Sequence, residues 1–327
     1  MLFRSNAITL GGDNLRASII STSSSSATML SITGVDTAVV KNLTFLRTSY
    51  GTNYGVSITN SANVTFEYVG SDNNGSGFYL NNAANTQFYG CRAYRDAGSG
   101  TFYGWFLDSQ NTLPNPSTCI VNSSTNVQPG FGGTSYGIYV YGTQVKDVFI
   151  RNWEFATGTN GIWVESTVGT NNFDVEISDC VIDTFYGEGI VLKTLAGASV
   201  LGCWINPAVG ATNSIRIQAS RNVNVTGNQL FGGPNYASQI GVRFIGTLSS
   251  TVTGNACQNN IVSIAADSTS GVNTITGNSI YNASGQAASS QIQIAGYRHT
   301  ISSNACDGRS EEHTSELQSL RHLVCRL

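Results

Sequence analysis

The sequence is poor in charge, proline and histidine, and it has no long hydrophobic run. Only 11% of its 327 residues are charged, and only 5 are proline. So little charge argues against a disordered chain, because such chains rely on high charge and low hydrophobicity. No stretch reaches the roughly 18 apolar residues of a membrane span, so none is expected. The formal net charge of -3 offers no basic surface and therefore no nucleic-acid partner.

The two ends of the chain differ in composition from the rest. Residues 309–327 read RSEEHTSELQSLRHLVCRL and resemble the translation of a common sequencing-library adapter. Residues 1–5, MLFRS, resemble the same adapter read from its other strand. We therefore expect residues 1–5 and 309–327 to be adapter-derived, with a disordered or non-native tail, and residues 6–308 to form one domain. The natural protein is then expected to extend beyond both ends.

A four-residue pattern recurs along residues 6–308: a small residue, an apolar residue, any residue, and a second apolar residue. It reads GVSI at 55–58, GFYL at 77–80, GWFL at 104–107, GIYV at 137–140, GIWV at 161–164 and GIVL at 189–192. The pattern returns about every 26 residues, which is the length of one turn of a three-sided solenoid. It predicts an all-β protein, a parallel β-helix of about 11 rungs whose capping ends are missing. Each rung is one turn of the coil.

A second pattern marks a corner of each rung. VTGN at 225–228 is echoed at 252–255 and 275–278, and as ISSN at 301–304. Gly-Asn predicts a tight corner because both residues tolerate positive φ, and the asparagines of successive rungs are expected to bond to one another along the coil. Cysteines in register with this corner are expected to be small buried hydrophobes, with disulfides as the alternative. They are Cys91, Cys180, Cys203, Cys257 and Cys306.

These rungs resemble the right-handed parallel β-helix of the pectin-lyase-like superfamily, which includes pectate lyases, polygalacturonases, and phage tailspikes and depolymerases. The resemblance covers residues 6–308 and implies a right-handed coil that acts on polysaccharides. The Asn-Thr-Asp, paired Asp and Gly-His-Gly motifs of polygalacturonases are absent. The resemblance therefore implies a fold and an extracellular or virion-associated setting rather than one reaction.

Alternation along each strand predicts which side chains point outward. The position between the two apolar residues gives, rung by rung, Ser57, Tyr79, Phe106, Tyr139, Trp163, Val191, Arg216, Arg243, Ser263 and Gln293. The position after them gives Thr59, Asn81, Asp108, Tyr141, Glu165, Lys193 and Gln218. Because sugar rings have apolar faces that lie well on aromatic planes, we expect a polysaccharide-binding groove. Its expected binding residues are Tyr79, Phe106, Tyr139, Tyr141, Trp163, Lys193, Arg216 and Arg243.

Two carboxylates in this strip are candidates for catalysis. Asp108 and Glu165 lie two rungs apart, or roughly 9.6 Å at about 4.8 Å per rung. Carboxylates about 6.5–9.5 Å apart suit inverting glycoside hydrolysis, one as acid and one activating water. A lyase version would hold calcium at these carboxylates and use Lys193 or Arg216 as the base. Otherwise no cofactor is expected, and no spacing of residues predicts a metal site.

The sequence thus favours a polysaccharide-binding β-helix that also cleaves its ligand, as a glycoside hydrolase or a lyase. The alternative is a non-catalytic structural or glycan-binding rod of a phage tail appendage or surface protein. The aromatic residues have their own alternatives: they could stack on one another, lie under the 108–135 loop, or form the interface of a homotrimer.

Overall fold

A computed structural model describes residues 2–3, 8–12, 18–109, 117–129, 131–169, 172–232, 239–281, 290–307 and 323–324. Within these residues the chain is built of short strands that wind into a parallel coil, as predicted, and no helix is present. Accordingly, the described residues hold no long apolar helix that could cross a membrane.

The coil has three sides, each a file of stacked strands. The first sheet is formed by Leu2–Phe3, Leu30–Thr33, Tyr54–Ala62, Ser76–Ala84, Thr101–Ser109, Thr134–Gly142, Asn160–Ser166, Glu188–Lys193, Asn213–Gln218, Ile240–Ile245, Val262–Ala266, Ser290–Ile294 and Leu323–Val324. The second file is formed by Ile8–Gly11, Ala38–Arg47, Val64–Asp72, Gln87–Tyr89, Thr118–Val121, Val148–Arg151, Val175–Ser178, Ala198–Leu201, Val223–Thr226, Thr251–Thr253, Thr274–Thr276 and Thr300–Ser302.

The third file begins with Ile19–Thr22 and then uses the second halves of Ala38–Arg47 and Val64–Asp72, which turn the corner without a break. It continues with Arg92–Arg95, Ser124–Val127, Glu154–Gly158, Val181–Phe185, Trp204–Pro207, Gln229–Phe231, Ala256–Gln258, Ser279–Tyr281 and Ala305–Asp307.

The core consists of the predicted inward positions of successive rungs. Val56 pairs with Phe78, Phe78 with Trp105, and Trp105 with Ile138 along the first sheet, and all four are fully buried. Burial of each such side chain contributes about 1.5–3 kcal/mol. The apolar positions of the repeat are therefore the element that holds the rungs together.

The small residue that opens each repeat lies where the alternation of buried and outward positions breaks, since Gly104 and Trp105 are both buried. A Cβ on Gly104 would lie 2.4 Å from the carbonyl oxygen of Gly137 and 2.3 Å from the hydroxyl of Thr125, so glycine is required there. The prediction for Ser263 was wrong here: Ser263 is fully buried, and Ala265 pairs with Arg243 at the outward position. The small-apolar-x-apolar pattern begins at Ser263 in this rung, two residues later than the sequence suggested.

The asparagine corner forms the expected ladder. Asn228 Nδ2 donates to Asn255 Oδ1 at 2.9 Å, Asn255 Nδ2 to Asn278 Oδ1 at 2.9 Å, and Asn278 Nδ2 to Asn304 Oδ1 at 2.8 Å. The preceding glycines supply the left-handed backbone, with φ of 68° at Gly227. Positive φ at this corner is why glycine recurs there.

The cysteines of the described residues are free, and four are buried: Cys91, Cys180, Cys203 and Cys257. Cys257 pairs with Leu230 in the register, and Cys306 lies two rungs further, with Ile280 on the rung between them. The backbone N–H of Cys203 donates to Asn228 Oδ1 at 2.8 Å, so it extends the ladder. The buried-thiol prediction is confirmed for Cys91, Cys180, Cys203 and Cys257, whereas Cys306 is only partly buried.

Two short strands extend the first sheet at its ends. Leu2–Phe3 pairs in parallel with residues 31–32, and Leu323–Val324 pairs antiparallel with residues 293–294. The remaining residues of the two segments, 1, 4–5, 309–322 and 325–327, lie outside the described residues. The adapter origin of these segments stays a prediction.

Candidate functional site

The outer face of the first sheet carries the predicted columns in the predicted register. Tyr79 pairs with Phe106, Phe106 with Tyr139, and Tyr139 with Trp163. Beside them, Asp108 pairs with Tyr141 and Tyr141 with Glu165. These seven residues therefore share one surface strip, which we call the aromatic face.

The aromatic face carries a contiguous cluster of eight half-buried rings: Tyr54, Tyr79, Tyr103, Phe106, Tyr136, Tyr139, Tyr141 and Trp163. Neighbouring rings lie with centroids 4.4–5.8 Å apart. Tyr54 on Tyr79 and Tyr103 on Tyr136 are stacked nearly parallel, at 16° and 17°. The alternative that the rings stack on one another is thus correct, and the Trp163 indole lies edge-on, at 84° to the Tyr136 ring.

Three of these rings, Tyr54, Tyr103 and Tyr136, were missed by the sequence reasoning. Each directly precedes the small residue of the repeat, as Tyr103 precedes Gly104. At Gly104 the alternation of buried and outward positions breaks, because Gly104 and Trp105 are both buried, and Tyr103 therefore lies on the same face as Phe106 and stacks on it at 4.9 Å. The signal that could have found them is the Tyr-Gly pair repeated at three rungs.

Asp108 is held by its neighbour one rung away. The Tyr79 hydroxyl donates to Asp108 Oδ2 at 2.8 Å. Burial, followed by the hydrogen bond to Asp108, raises the pKa of Tyr79, and burial with the nearby Glu165 charge raises the pKa of Tyr139. Both phenols therefore stay protonated at neutral pH, where they can donate hydrogen bonds.

Glu165 lies at the centre of a polar group at the other end of the rings. It accepts a hydrogen bond at 3.0 Å from the indole N–H of Trp163 and pairs with Lys193 Nζ at 2.7 Å. Lys193 stands one rung further along the same column. The ion pair is only partly exposed, with side-chain accessibilities of 33% and 17%, so solvent screens it less than a surface pair.

The cationic end of the strip is folded back on the rings. The guanidinium carbon of Arg216 lies 5.0 Å from the Trp163 ring centroid, and its Nε is 3.2 Å from Glu188 Oε1. Val191, which lies between Trp163 and Arg216 in the register, is fully buried beneath them although it occupies an outward position. Arg243 is exposed one rung beyond Arg216.

Two expectations from the sequence concern this face: a loop that could cover the rings, and calcium at the carboxylates in the lyase version. Of the 108–135 loop that was considered as a cover for the rings, residues 110–116 and 130 lie outside the described residues. No group of three or more His, Cys, Asp or Glu side chains in the described residues is arranged to hold a metal ion. Asp108 and Glu165 are instead each engaged by a side chain of the face.

Comparison with known proteins identifies the family. The model of the right-handed β-helix region matches residues 29–230. The chain belongs to this right-handed β-helix family. A search of curated proteins found no match.

Two solved structures are similar to this β-helix. The A-module of the mannuronan C-5 epimerase AlgE6 of Azotobacter vinelandii is 16% identical over 92% of this chain and 84% of its own, with a TM-score of 0.67. The A-module of AlgE4 from the same organism is 16% identical over 92% and 83%, with a TM-score of 0.55. At this identity the likeness establishes the β-helix fold alone.

Proposed function

We propose that this protein binds a polysaccharide along the aromatic face and cleaves it with Asp108 and Glu165. The observation that supports the proposal is the juxtaposition, on one continuous strip, of eight rings and two carboxylates two rungs apart. The similar A-modules belong to enzymes named for mannuronan, a polysaccharide, which agrees with the same class of ligand.

The strip has the dimensions and chemistry of an extended binding site. From Tyr79 to Val191 it spans four rung steps, about 19 Å at roughly 4.8 Å per rung. Ring edges and the indole of Trp163 offer apolar contact to sugar C–H groups. Phenol, carboxylate and ammonium groups beside them provide hydrogen-bond partners for hydroxyls. An apolar strip with a polar rim is a general mark of an interaction surface.

The two carboxylates differ in their partners, and this assigns their roles. We assign Glu165, which accepts from the Trp163 indole and pairs with Lys193, as the base that activates water. Asp108 is the remaining carboxylate and is assigned as the acid that protonates the leaving oxygen; its Oδ2 can keep the hydrogen bond from Tyr79 while Oδ1 carries the proton. Their backbones are about 9.6 Å apart, near the upper limit of the separation used by inverting hydrolases.

The lyase version fits the contacts less well. Lys193 Nζ is engaged by Glu165, and the Arg216 guanidinium lies against Trp163 and Glu188, so neither is placed to act as a base. We therefore favour hydrolysis over lyase chemistry with calcium at the carboxylates.

The test is incubation of the protein with acidic and neutral polysaccharides. Release of reducing ends is expected, and Asp108→Asn or Glu165→Gln should abolish it. Glu154→Gln alters an exposed carboxylate on the third file and serves as the matched control. Cleavage that survives in both site variants would refute the assignment, and products that absorb in the ultraviolet would indicate a lyase.

A second candidate is a non-catalytic, glycan-binding rod of an extracellular or virion-associated assembly, either monomeric or trimeric. It is favoured by the rings stacking on one another and by the neighbours that engage both carboxylates. Polysaccharide binding without cleavage would support it, provided that Trp163→Ala abolishes binding. Trp204→Ala, which removes a half-buried indole from the third file, is the control and should bind normally.

A further inference from the structure

A cleft lies away from the aromatic face, on the outside of the second file. It has a volume of about 470 Å³. Its lining residues are Phe149, Asp174, Val175, Glu176, Gly197, Ala198, Ser199, Asn222 and Asn224. Clefts of 300–1,000 Å³ are the usual size for a small ligand. Nothing in the proposed function uses these residues.

The floor of the cleft is one outward column of the second file. Phe149 pairs with Glu176, Glu176 with Ser199, and Ser199 with Asn224, so the column runs through four consecutive rungs. That is about 14 Å at roughly 4.8 Å per rung. An aromatic ring, a carboxylate, a hydroxyl and an amide thus follow one another along the floor.

The wall of the cleft is formed at one corner of the coil, where three successive rungs place Asp174, Gly197 and Asn222 in line. Each of these residues directly precedes a strand of the second file, and the strands pair through their first residues, Val175, Ala198 and Val223. Asp174 and Asn222 adopt left-handed backbone, with φ of 60° and 55°. Gly197 between them has no side chain, and this absence opens the notch that forms the cleft. A Cβ there would meet only Phe173 Cβ, at an ordinary 3.7 Å.

The charges of the cleft select against an anionic ligand. Glu176 is paired with Arg151 at 2.7 Å, and the Arg151 guanidinium lies 5.2 Å from the Phe149 ring centroid. Asp174 is exposed at the wall and leaves the cleft one negative charge in excess. An acidic sugar would be repelled by this charge, whereas neutral hydroxyls can donate to carboxylates and both donate to and accept from amides.

We propose that this cleft is a second carbohydrate site, which holds a neutral sugar unit between Asp174, Asn222 and the Glu176–Asn224 floor. The site is independent of the aromatic face and needs no cleavage. It would anchor a hydroxyl-rich chain on the second file, a different side of the coil from the aromatic face.

The test is calorimetric titration of the full chain with maltotriose, cellotriose and mannotriose, with trigalacturonate and calcium as charged comparisons. At least one neutral trisaccharide should bind. Gly197→Asn, which fills the notch with the residue type of its neighbour Asn222, should weaken that binding at least ten-fold, as should Asp174→Asn. Asp179→Asn alters another exposed, left-handed aspartate, beyond the far end of the Val175–Ser178 strand, and should leave binding unchanged.

Several results would overturn the site. They are no binding of any neutral probe, binding of only trigalacturonate or calcium, or neutral binding that Gly197→Asn does not affect. Loss of neutral binding in Trp163→Ala but not in Gly197→Asn would place the probe on the aromatic face, which contradicts the cleft while supporting the proposed function. Far-ultraviolet circular dichroism of each variant checks that the coil is intact.

Discussion

Removal of one asparagine side chain from the asparagine ladder should destabilise the whole coil. Asn255 is buried, and its side-chain oxygen accepts hydrogen bonds from the backbone N–H of Asn228 at 3.0 Å and from Asn228 Nδ2 at 2.9 Å. Its Nδ2 donates to Asn278 Oδ1 at 2.9 Å and to the Val225 carbonyl at 3.0 Å. Asn255→Ala would leave these groups without their partner in a place that water does not reach.

The size of the effect follows from these contacts. The buried N–H of Asn228 left unpaired costs about 1–3 kcal/mol and the three other lost hydrogen bonds about 1 kcal/mol each, so Asn255→Ala should lower the free energy of unfolding by about 4–6 kcal/mol. Asn304 ends the described ladder with the same kinds of bonds but is only partly buried. Water can replace its partners, so Asn304→Ala should cost only about 1–2 kcal/mol.

The assay is urea unfolding followed by circular dichroism, with the midpoint and slope compared among the wild type and both variants. The burial argument predicts that Asn255→Ala loses clearly more stability than Asn304→Ala. Equal losses, or a larger loss for Asn304→Ala, would refute it, because Asn304 is more accessible to water and makes one described bond fewer to a neighbouring asparagine.

Three further predictions concern other parts of the coil. Alkylation of the native protein followed by mass spectrometry should label half-exposed Cys119 well before Cys257, because burial raises the pKa of Cys257 to about 12; equal rates would contradict the buried position. Burial tends to raise the pKa of Asp267, but the hydrogen bonds that it accepts from Gly246 and residues 269–270 outweigh burial, and the pKa is lowered. The stability that this carboxylate provides should therefore be lost as pH falls below about 4. Asp267→Asn should flatten that part of the plot of stability against pH. Ser263→Leu should lower the thermal midpoint sharply because Ser263 is buried, whereas Ala265→Leu should not because Ala265 lies at the outward position. The reverse order would favour the register predicted from the sequence, in which Ser263 points outward.

Much of the fold and of the site could be predicted because alternation in a strand fixes the side on which each residue lies. The Tyr79-to-Trp163 column, and the placement of Glu165 next to Lys193, follow from that rule and the repeat. The rule fails where two consecutive residues, Gly104 and Trp105, are both buried, so the ring of Tyr103 was missed. It also fails at Ser263, where two frames of the same pattern overlap.

Other features depend on properties that spacing does not encode. Arg216 bends back over Trp163 because its side chain is long enough to cross the intervening rung, and this covers Val191. The cleft at Gly197 arises from a side chain that is absent in one rung of a corner column. Neither the reach of a side chain nor a gap between loops can be read from the period of the repeat.

The most direct test of the central claim is hydroxyl-radical footprinting with and without a polysaccharide that the protein binds. A ligand on the aromatic face should protect Tyr79, Tyr103 and Trp163 from oxidation while Trp204 and Tyr281 on the third file remain unchanged. Protection of Trp204 or Tyr281, with Tyr79, Tyr103 and Trp163 oxidised as in the free protein, would contradict the account.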